Sequence, residues 1–480
     1  MKGRRSPVWT LTGASAAVTI FLFLCSTVRH ALFKSNAYDL GWFDQMVYLL
    51  SRGQPPITTL ADYHLLGDHA AIIFYPIALL YRLYADVHWL FLLQALALAL
   101  GILALWLLAR QAGLPVPARW TVITAYLLYP LVFNVNLYDF HPEVLAIPAL
   151  LVSVWAARAG KIFTFTLAIL FILSCKAVLA LTVAAMGFWL LVFERRQFCG
   201  AIALILGSTW FLLTTQIIIP QFSGAEVAAV ARYGYLGDSV LQVALNLVLK
   251  PGLVLGQVFS LATLEYLALL LLPLLWGLRC RHLTPLVAAL PALALNILST
   301  HDSQRNLVLQ YSVPILPFLL LAVISAGAAG RVSWPRRWIL AWSLVGFLAL
   351  AKYGYFWTTY LATLDTWSAS RAAIARIETK GAVIAPAKLA PHLSHRQTIQ
   401  LPRPELELAS LKNYDYVLLD QRHPGFASSR EAVGAIAAYL AADAAFEISY
   451  ARDGVVLYQR LDAASAPEIR ASEMTQPGQE

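Results

Sequence analysis

The chain alternates long apolar runs with short polar joints. Runs that reach or approach the length of a hydrocarbon core of about 30 Å lie at 9–28, 87–109, 120–136, 143–157, 162–175, 177–193, 199–219, 252–278, 283–298, 307–329 and 338–357. They predict an all-α polytopic membrane protein with about eleven transmembrane helices. The run at 70–84, AAIIFYPIALLYRLY, is short for a crossing and contains Pro76, so it reads as an interfacial or re-entrant helix. Lys2, Arg4 and Arg5 precede the first run as in a signal peptide, but the run is too long and lacks a small-x-small cleavage site. It reads as a retained signal anchor.

From about Thr358 the pattern changes, and no later run is long enough to span. GAVIAPAKL, YDYVLLDQRH and FEISYARDGVVLYQRL read as strands, the last as a hairpin around Arg452-Asp453-Gly454, and REAVGAIAAYLAAD reads as a helix. The expected layout is a membrane domain over 1–357, a small C-terminal α/β domain over 358–462 and a disordered tail over 463–480.

Charge then orients the chain. With the N-terminus in the cytoplasm, the inner joints carry Arg110, Arg119, Arg158, Lys161, Arg195, Arg196, Arg279, Arg281, Arg331, Arg336 and Arg337, with Glu194 the lone acid. The acids Asp39, Asp44, Asp62, Asp68, Asp86, Asp139, Glu143, Glu226, Asp238 and Asp302 fall on the opposite loops, as the positive-inside rule requires. An odd number of spans places the α/β domain outside the cell, in a plasma (inner) membrane. The net charge of +9 is thereby a topological signal and implies no nucleic-acid partner. Hydrophobic residues make up 59% and charged residues 13% of the chain, excluding an ordinary soluble domain. Cys25, Cys175, Cys199 and Cys280 have no zinc spacing and imply no disulfide. No phosphate-binding glycine loop occurs, which argues against a nucleotide-driven pump.

Candidate chemistry gathers in the outer loops at 29–86, 137–143, 220–250 and 299–306. YDLGWFDQ places Asp39 among Tyr38, Leu40, Trp42 and Phe43, with Asp44 five residues on; a carboxylate at the lipid boundary in an aromatic frame is a candidate for a tuned pKa. DYHLLGDH adds His64, Asp68 and His69, and YDFHPE adds Asp139, His141 and Glu143. These are ligand types for a divalent ion such as Mg or Mn, and equally for a hydrogen-bonded network between the two loops. Lys176, Arg232 and Arg305 are cations on the face where topology disfavours them, and so are candidates for gripping a phosphate. In the tail, APHLSHR offers His392, His395 and Arg396 as a cap over the cavity.

With YDLGWFDQ, DYHLLGDH, YDFHPE, QYSVPILPF and APHLSHR, residues 35–420 resemble a prokaryotic family of predicted membrane proteins of unknown function. Its layout resembles the GT-C superfamily of glycosyltransferases. That resemblance implies a polyprenyl-phosphate-linked sugar as donor, Asp39 as catalytic acid or base with Asp44 its competitor, and membrane lipid around the donor chain. The acceptor stays open. Here Lys176 is followed by Ala177 and Val178 where the family tends to place acids, leaving only a cation at this turn. Two alternatives stand beside it: a lipid-linked sugar flippase or other transporter, for which Glu265 is the main intramembrane charge, and a non-catalytic scaffold.

Overall fold

The computed structural model of the chain describes residues 7–461; Lys2, Arg4, Arg5 and the tail expected to be disordered, 463–480, lie outside the described residues. The chain is mostly helical, with one five-stranded sheet near its C-terminus. Three helices, Trp9–Ala31, His88–Gln111 and Gln197–Ser223, are long and apolar enough to cross a membrane singly, or up to six spans if each bent pair counts as one. His88–Gln111 lies at the centre, with 67% of its apolar window buried.

Proline sets most of the breaks, because it removes an N–H from the helical ladder and clashes with the preceding turn. The run expected at 120–136 divides at Pro130 into Val116–Leu127 and Pro130–Leu137, bent by 41°. The short run at 70–84 forms the helix Phe74–Leu83, about 15 Å long at the helical rise, too short to cross. One element was not foreseen. Residues 240–249, expected within a loop, form the helix Val240–Leu249, cornered by 89° against Pro251–Val258. Its apolar spacing explains this: Leu241, Leu245 and Val248 share a face, and they stay 61, 60 and 77% exposed, a surface suited to lipid.

Small residues let Leu179–Val192 and Gln197–Leu213 approach closely. A Cβ on Gly187 would sit 2.3 Å from the backbone nitrogen of Leu204, and one on Gly207 2.6 Å from that of Ala184. Such pairing is how helices associate in lipid, where apolar side chains gain little by leaving one apolar medium for another.

The sheet runs in the order Ile399–Gln400, Val383–Ile384, Tyr416–Asp420, Val455–Arg460, Phe446–Arg452. The first three strands are parallel and the last two form an antiparallel hairpin. Helix Arg430–Ala442, capped by Ser429 accepting from the Ala432 N–H, packs Val433, Ile436 and Leu440 on one side. The other side buries residues from the membrane domain: Phe33, Ala37 and Leu60 share a core with Ala385, Ala387, Leu389, Leu401 and Leu418. The sheet domain is therefore docked on the first long loop.

Candidate functional site

Asp39 sits in a wide turn, Ala37–Gly41, that opens directly into helix Trp42–Ser51. Asn36 caps the turn, its side-chain oxygen accepting from the Tyr38 N–H at 3.2 Å. Such π-type turns often mark functional positions. Gly41 allows the turn to nest against its neighbours, since a Cβ there would lie 3.2 Å from Leu60 Cδ1 and 3.6 Å from Pro391 Cγ. Asp39 Oδ1 lies 3.3 Å from His141 Nε2, and Oδ2 accepts from Asn36 Nδ2 at 3.4 Å. Its side chain keeps 15% exposure, against 1% for Asp44 and 0% for Asp139, so Asp39 is the most accessible of these three carboxylates.

His141 is held from three directions. Its backbone N–H donates to Gln94 Oε1 at 2.9 Å, its Nδ1 lies 3.4 Å from the Asp139 carbonyl, and Tyr138 stacks on its ring at 5.3 Å. Gln94, on the central helix, also donates to the Asp139 and Val135 carbonyls, fixing the second loop to the bundle. Burial, reinforced by the charge of Asp39, pushes the Tyr138 phenol well up, so it stays a proton donor beside the carboxylate.

Asp139 itself is spent on structure. Its carboxylate pairs with Arg29 and accepts from the Asn36 N–H at 3.0 Å, and its backbone is held at φ 106°, a conformation costly for any residue but glycine. Asp44 is likewise enclosed. Tyr81 donates to Oδ1 at 2.5 Å, Ser394 donates to Oδ2, and His395 Nε2 lies 3.1 Å from Oδ2. Burial alone would raise its pKa, but His395, Ser394 and Tyr81 outweigh that and hold it below the usual carboxylate range.

The three cations differ in what holds them. Lys176 Nζ donates to Glu143 Oε1 at 2.5 Å, leaving Glu143 Oε2 buried without a partner. The adjacent Ala177 N–H donates to the His69 carbonyl at 3.0 Å, and His69 in turn pairs with Asp68. Burial opposes ionisation of Asp68, yet His69, Lys176 and Arg232 together hold it at about 2. Arg232 lies over the Tyr311 ring at 5.4 Å. Arg305 is used locally: it donates to the Ile297 and Ser299 carbonyls at 3.1 and 3.0 Å and to Asp302 at 2.6 Å, closing the end of helix Leu290–Leu298 beside the Arg232 segment, whose carbonyl accepts from the Thr300 N–H at 2.9 Å. His64 also serves locally, its Nδ1 accepting from the Leu66 N–H at 3.1 Å while its ring stacks on Phe222.

From the sheet domain, His392 reaches the membrane domain, its Nε2 lying 3.1 Å from the His30 carbonyl. Arg396 instead turns inward, donating to the Leu393 and Gly381 carbonyls, and touches the first loop through its own carbonyl, which accepts from Gln45 Nε2 at 3.3 Å. Among the described residues no group of three or more His, Cys, Asp or Glu side chains is placed to hold a metal ion. The carboxylates of Asp39, Asp44, Asp68, Asp139 and Glu143 are paired instead with histidine, lysine, arginine or hydroxyl partners.

The expected list omitted several residues that hold this site. Arg29 had a signal, as a cation just past the first span on the acidic side. Tyr81, Gln94, Asn36 and Ser394 had none, being ordinary polar residues until the fold brings them together.

Residues 29–457 match the sequence profile of a family described as Predicted membrane protein (DUF2079). No curated protein matches. Among solved structures, the fold is similar to that of ArnT from Cupriavidus metallidurans bound to undecaprenyl phosphate, with 13% identity and a TM-score of 0.55 over 97% of this chain and 100% of that one. The apo-state structure of ArnT from Cupriavidus metallidurans aligns at 12% identity and a TM-score of 0.45 over 96% and 100%.

Proposed function

We propose that this chain, which belongs to the DUF2079 family of predicted membrane proteins, is an integral-membrane glycosyltransferase that moves a sugar from a polyprenyl-phosphate donor to an acceptor on the extracytoplasmic face. The carrying observation is the accessible Asp39 carboxylate, braced by His141 at 3.3 Å where two loops and the sheet domain meet. The fold likeness to a protein crystallised with undecaprenyl phosphate supports the donor class.

In this reading Asp39 takes the proton of an acceptor hydroxyl as that oxygen attacks the anomeric carbon, and the bond from that carbon to the phosphate oxygen breaks. His141 orients the carboxylate. Lys176 and Arg232 stabilise the departing phosphate, whereas Arg305 shapes its loop. Asp44 docks the sheet domain, and Asp139 with Arg29 joins the two loops. The N-terminus is cytoplasmic, the chain crosses about eleven times and the sheet domain is extracytoplasmic. Fusions reporting cytoplasm at Arg337 and exterior at Gln400 test that layout. The transporter alternative finds less support, because Glu265 is exposed on helix Leu261–Leu271 instead of lining an interior path.

The deciding experiment is transfer from a labelled polyprenyl-phosphate sugar in membranes. Asp39→Asn, which keeps size but loses basicity, is expected to lower the rate about 100-fold or more. A folded Asp39→Asn protein working at the parental rate overturns the assignment.

A further inference from the structure

We infer that Tyr38, Phe426 and Arg403 form the acceptor subsite, a platform for a saccharide ring that carries an anionic group; this rests on the reading of Asp39 as the base. The sheet topology points there first. From the strand Val383–Ile384 the chain moves to one side, Ile399–Gln400, and then crosses to the other, Tyr416–Asp420. In open α/β sheets the crevice at the carboxyl ends of strands, where the order reverses, is the ligand position. Here that crevice is filled by the chain's own first loop, with Ala37 and Leu60 packed against Ala385, Ala387 and Leu401. What stays open is its rim, where Tyr38 from the loop meets Arg403, just beyond one strand, and Phe426, beyond another.

The rim is built to display an aromatic ring. Phe426 is 64% exposed and stands between Gly425 at φ 85° and Ala427 at φ 61°. A left-handed alanine is strained, and such strain persists where the surrounding structure enforces it, often at ligand sites. Ser428 enforces it here, donating to the Pro402 carbonyl at 2.5 Å, which ties the Phe426 loop to the segment bearing Arg403. Phe426 meets Tyr38 edge to face at 5.5 Å. Arg403 lies over the Tyr38 ring at 5.6 Å and donates from Nη2 to the Leu60 carbonyl. It has no carboxylate partner among the described residues; with Nη2 on that carbonyl and Nε buried without an acceptor, Nη1 is the nitrogen left to meet a ligand.

An open aromatic face accepts the C–H face of a pyranose, while a guanidinium without a carboxylate partner donates a charge-assisted hydrogen bond to a carboxylate or phosphate. Tyr38 directly precedes Asp39 in the chain, so a ring seated on this platform is carried next to the base.

The test uses the full chain in lipid nanodiscs and three probes: methyl glucuronide, glucose 6-phosphate and neutral methyl glucoside, with binding read by saturation-transfer NMR. We expect the anionic probes to bind about tenfold or more tightly than the neutral one. Preference for the uronide identifies an acidic sugar as the source, and preference for the phosphate identifies a phosphorylated one. Phe426→Ala and Arg403→Gln should each weaken the anionic probe about tenfold, with partial recovery in Arg403→Lys. Asp39→Asn should bind as the parent does; if it also transfers sugar normally, the base assignment fails while the subsite stands. Absence of binding, equal binding of the neutral probe, or indifference to Phe426→Ala and Arg403→Gln overturns the subsite. So does quenching of Phe426→Trp, relative to the parent, by brominated lipid, which would put this ring in the bilayer.

Discussion

His392 of the sheet domain stacks on His30 at the end of the first helix, the two rings 3.8 Å apart and 15° from parallel. Phe33 closes over His392 at 4.7 Å, so the ring that couples the two domains is enclosed by apolar and aromatic neighbours. The interface therefore has a defined response to acid.

Burial holds the His392 pKa down at about 4. Undocked, the imidazole takes a proton near its usual value of about 6.5; docked, it resists until about 4. The undocked state thus binds more protons between these limits, so docking is at full strength above about pH 6.5 and weakens as pH falls toward 4. Asp44, held below the carboxylate range, adds stability that is lost at still lower pH. Limited proteolysis of the sheet domain should quicken between pH 7 and 4.5, and His392→Phe should flatten that response. A wild-type sheet domain equally resistant at both pH values would contradict the coupling.

Ser394→Ala and Tyr81→Phe each remove a donor from the enclosed Asp44 carboxylate and should cost about 1–3 kcal/mol, read as lower thermal stability in detergent. Asp44→Asn should destabilise as well. Per folded molecule, its transfer rate should fall far less than that of Asp39→Asn; equal loss would make Asp44 a second base.

For the cations, Lys176→Gln should weaken donor binding about tenfold or more, since charged hydrogen bonds to phosphate are the strong kind. It also strands Glu143, so the Glu143→Gln, Lys176→Gln double variant separates folding from binding. Arg305→Gln should leave donor affinity within about twofold and lower stability instead. Binding of radiolabelled polyprenyl phosphate distinguishes them.

Gly187→Ala forces a methyl against the Leu204 backbone, which cannot swing aside as a side chain can. Overpacking of this kind costs about 1–3 kcal/mol. Gly252, with nothing within 4 Å of its would-be Cβ, is the control: Gly252→Ala should unfold at the parental temperature, and equal losses at both sites would argue against the close helix crossing.

How much of this was legible depends on how far apart the partners lie. The hairpin around Asp453-Gly454 was readable because both residues take left-handed backbone, φ 53° and 80°, and their types favour it. Asp39 drew attention through its aromatic neighbours in a single octapeptide, whereas its wide turn and its His141 partner belong to the fold. The enclosure of Asp44 was not, since Ser394 lies 350 positions away and nothing local marks a serine as its donor. Lys176 showed itself as a cation lacking a partner, but only the fold supplies Glu143, 33 residues earlier. The strand Ile399–Gln400 escaped because two residues carry no alternation, and its pairing depends on a neighbouring strand.

The outer strand Ile399–Gln400 leaves one flank without a sheet partner, and that flank is taken by Thr59: its Oγ1 donates to the Ile399 carbonyl and accepts from the Ile399 N–H, both at 2.8 Å. The two ends of this clasp are separated by 340 residues in the chain. During synthesis the first loop emerges early and must wait, with Phe33, Ala37 and Leu60 uncovered, until the sheet domain arrives to cover them. Assembly of the Asp39 turn thus becomes a completion check, and a chain cut short before its final domain inserts its helices but leaves a sticky, protease-sensitive loop in place of a finished site.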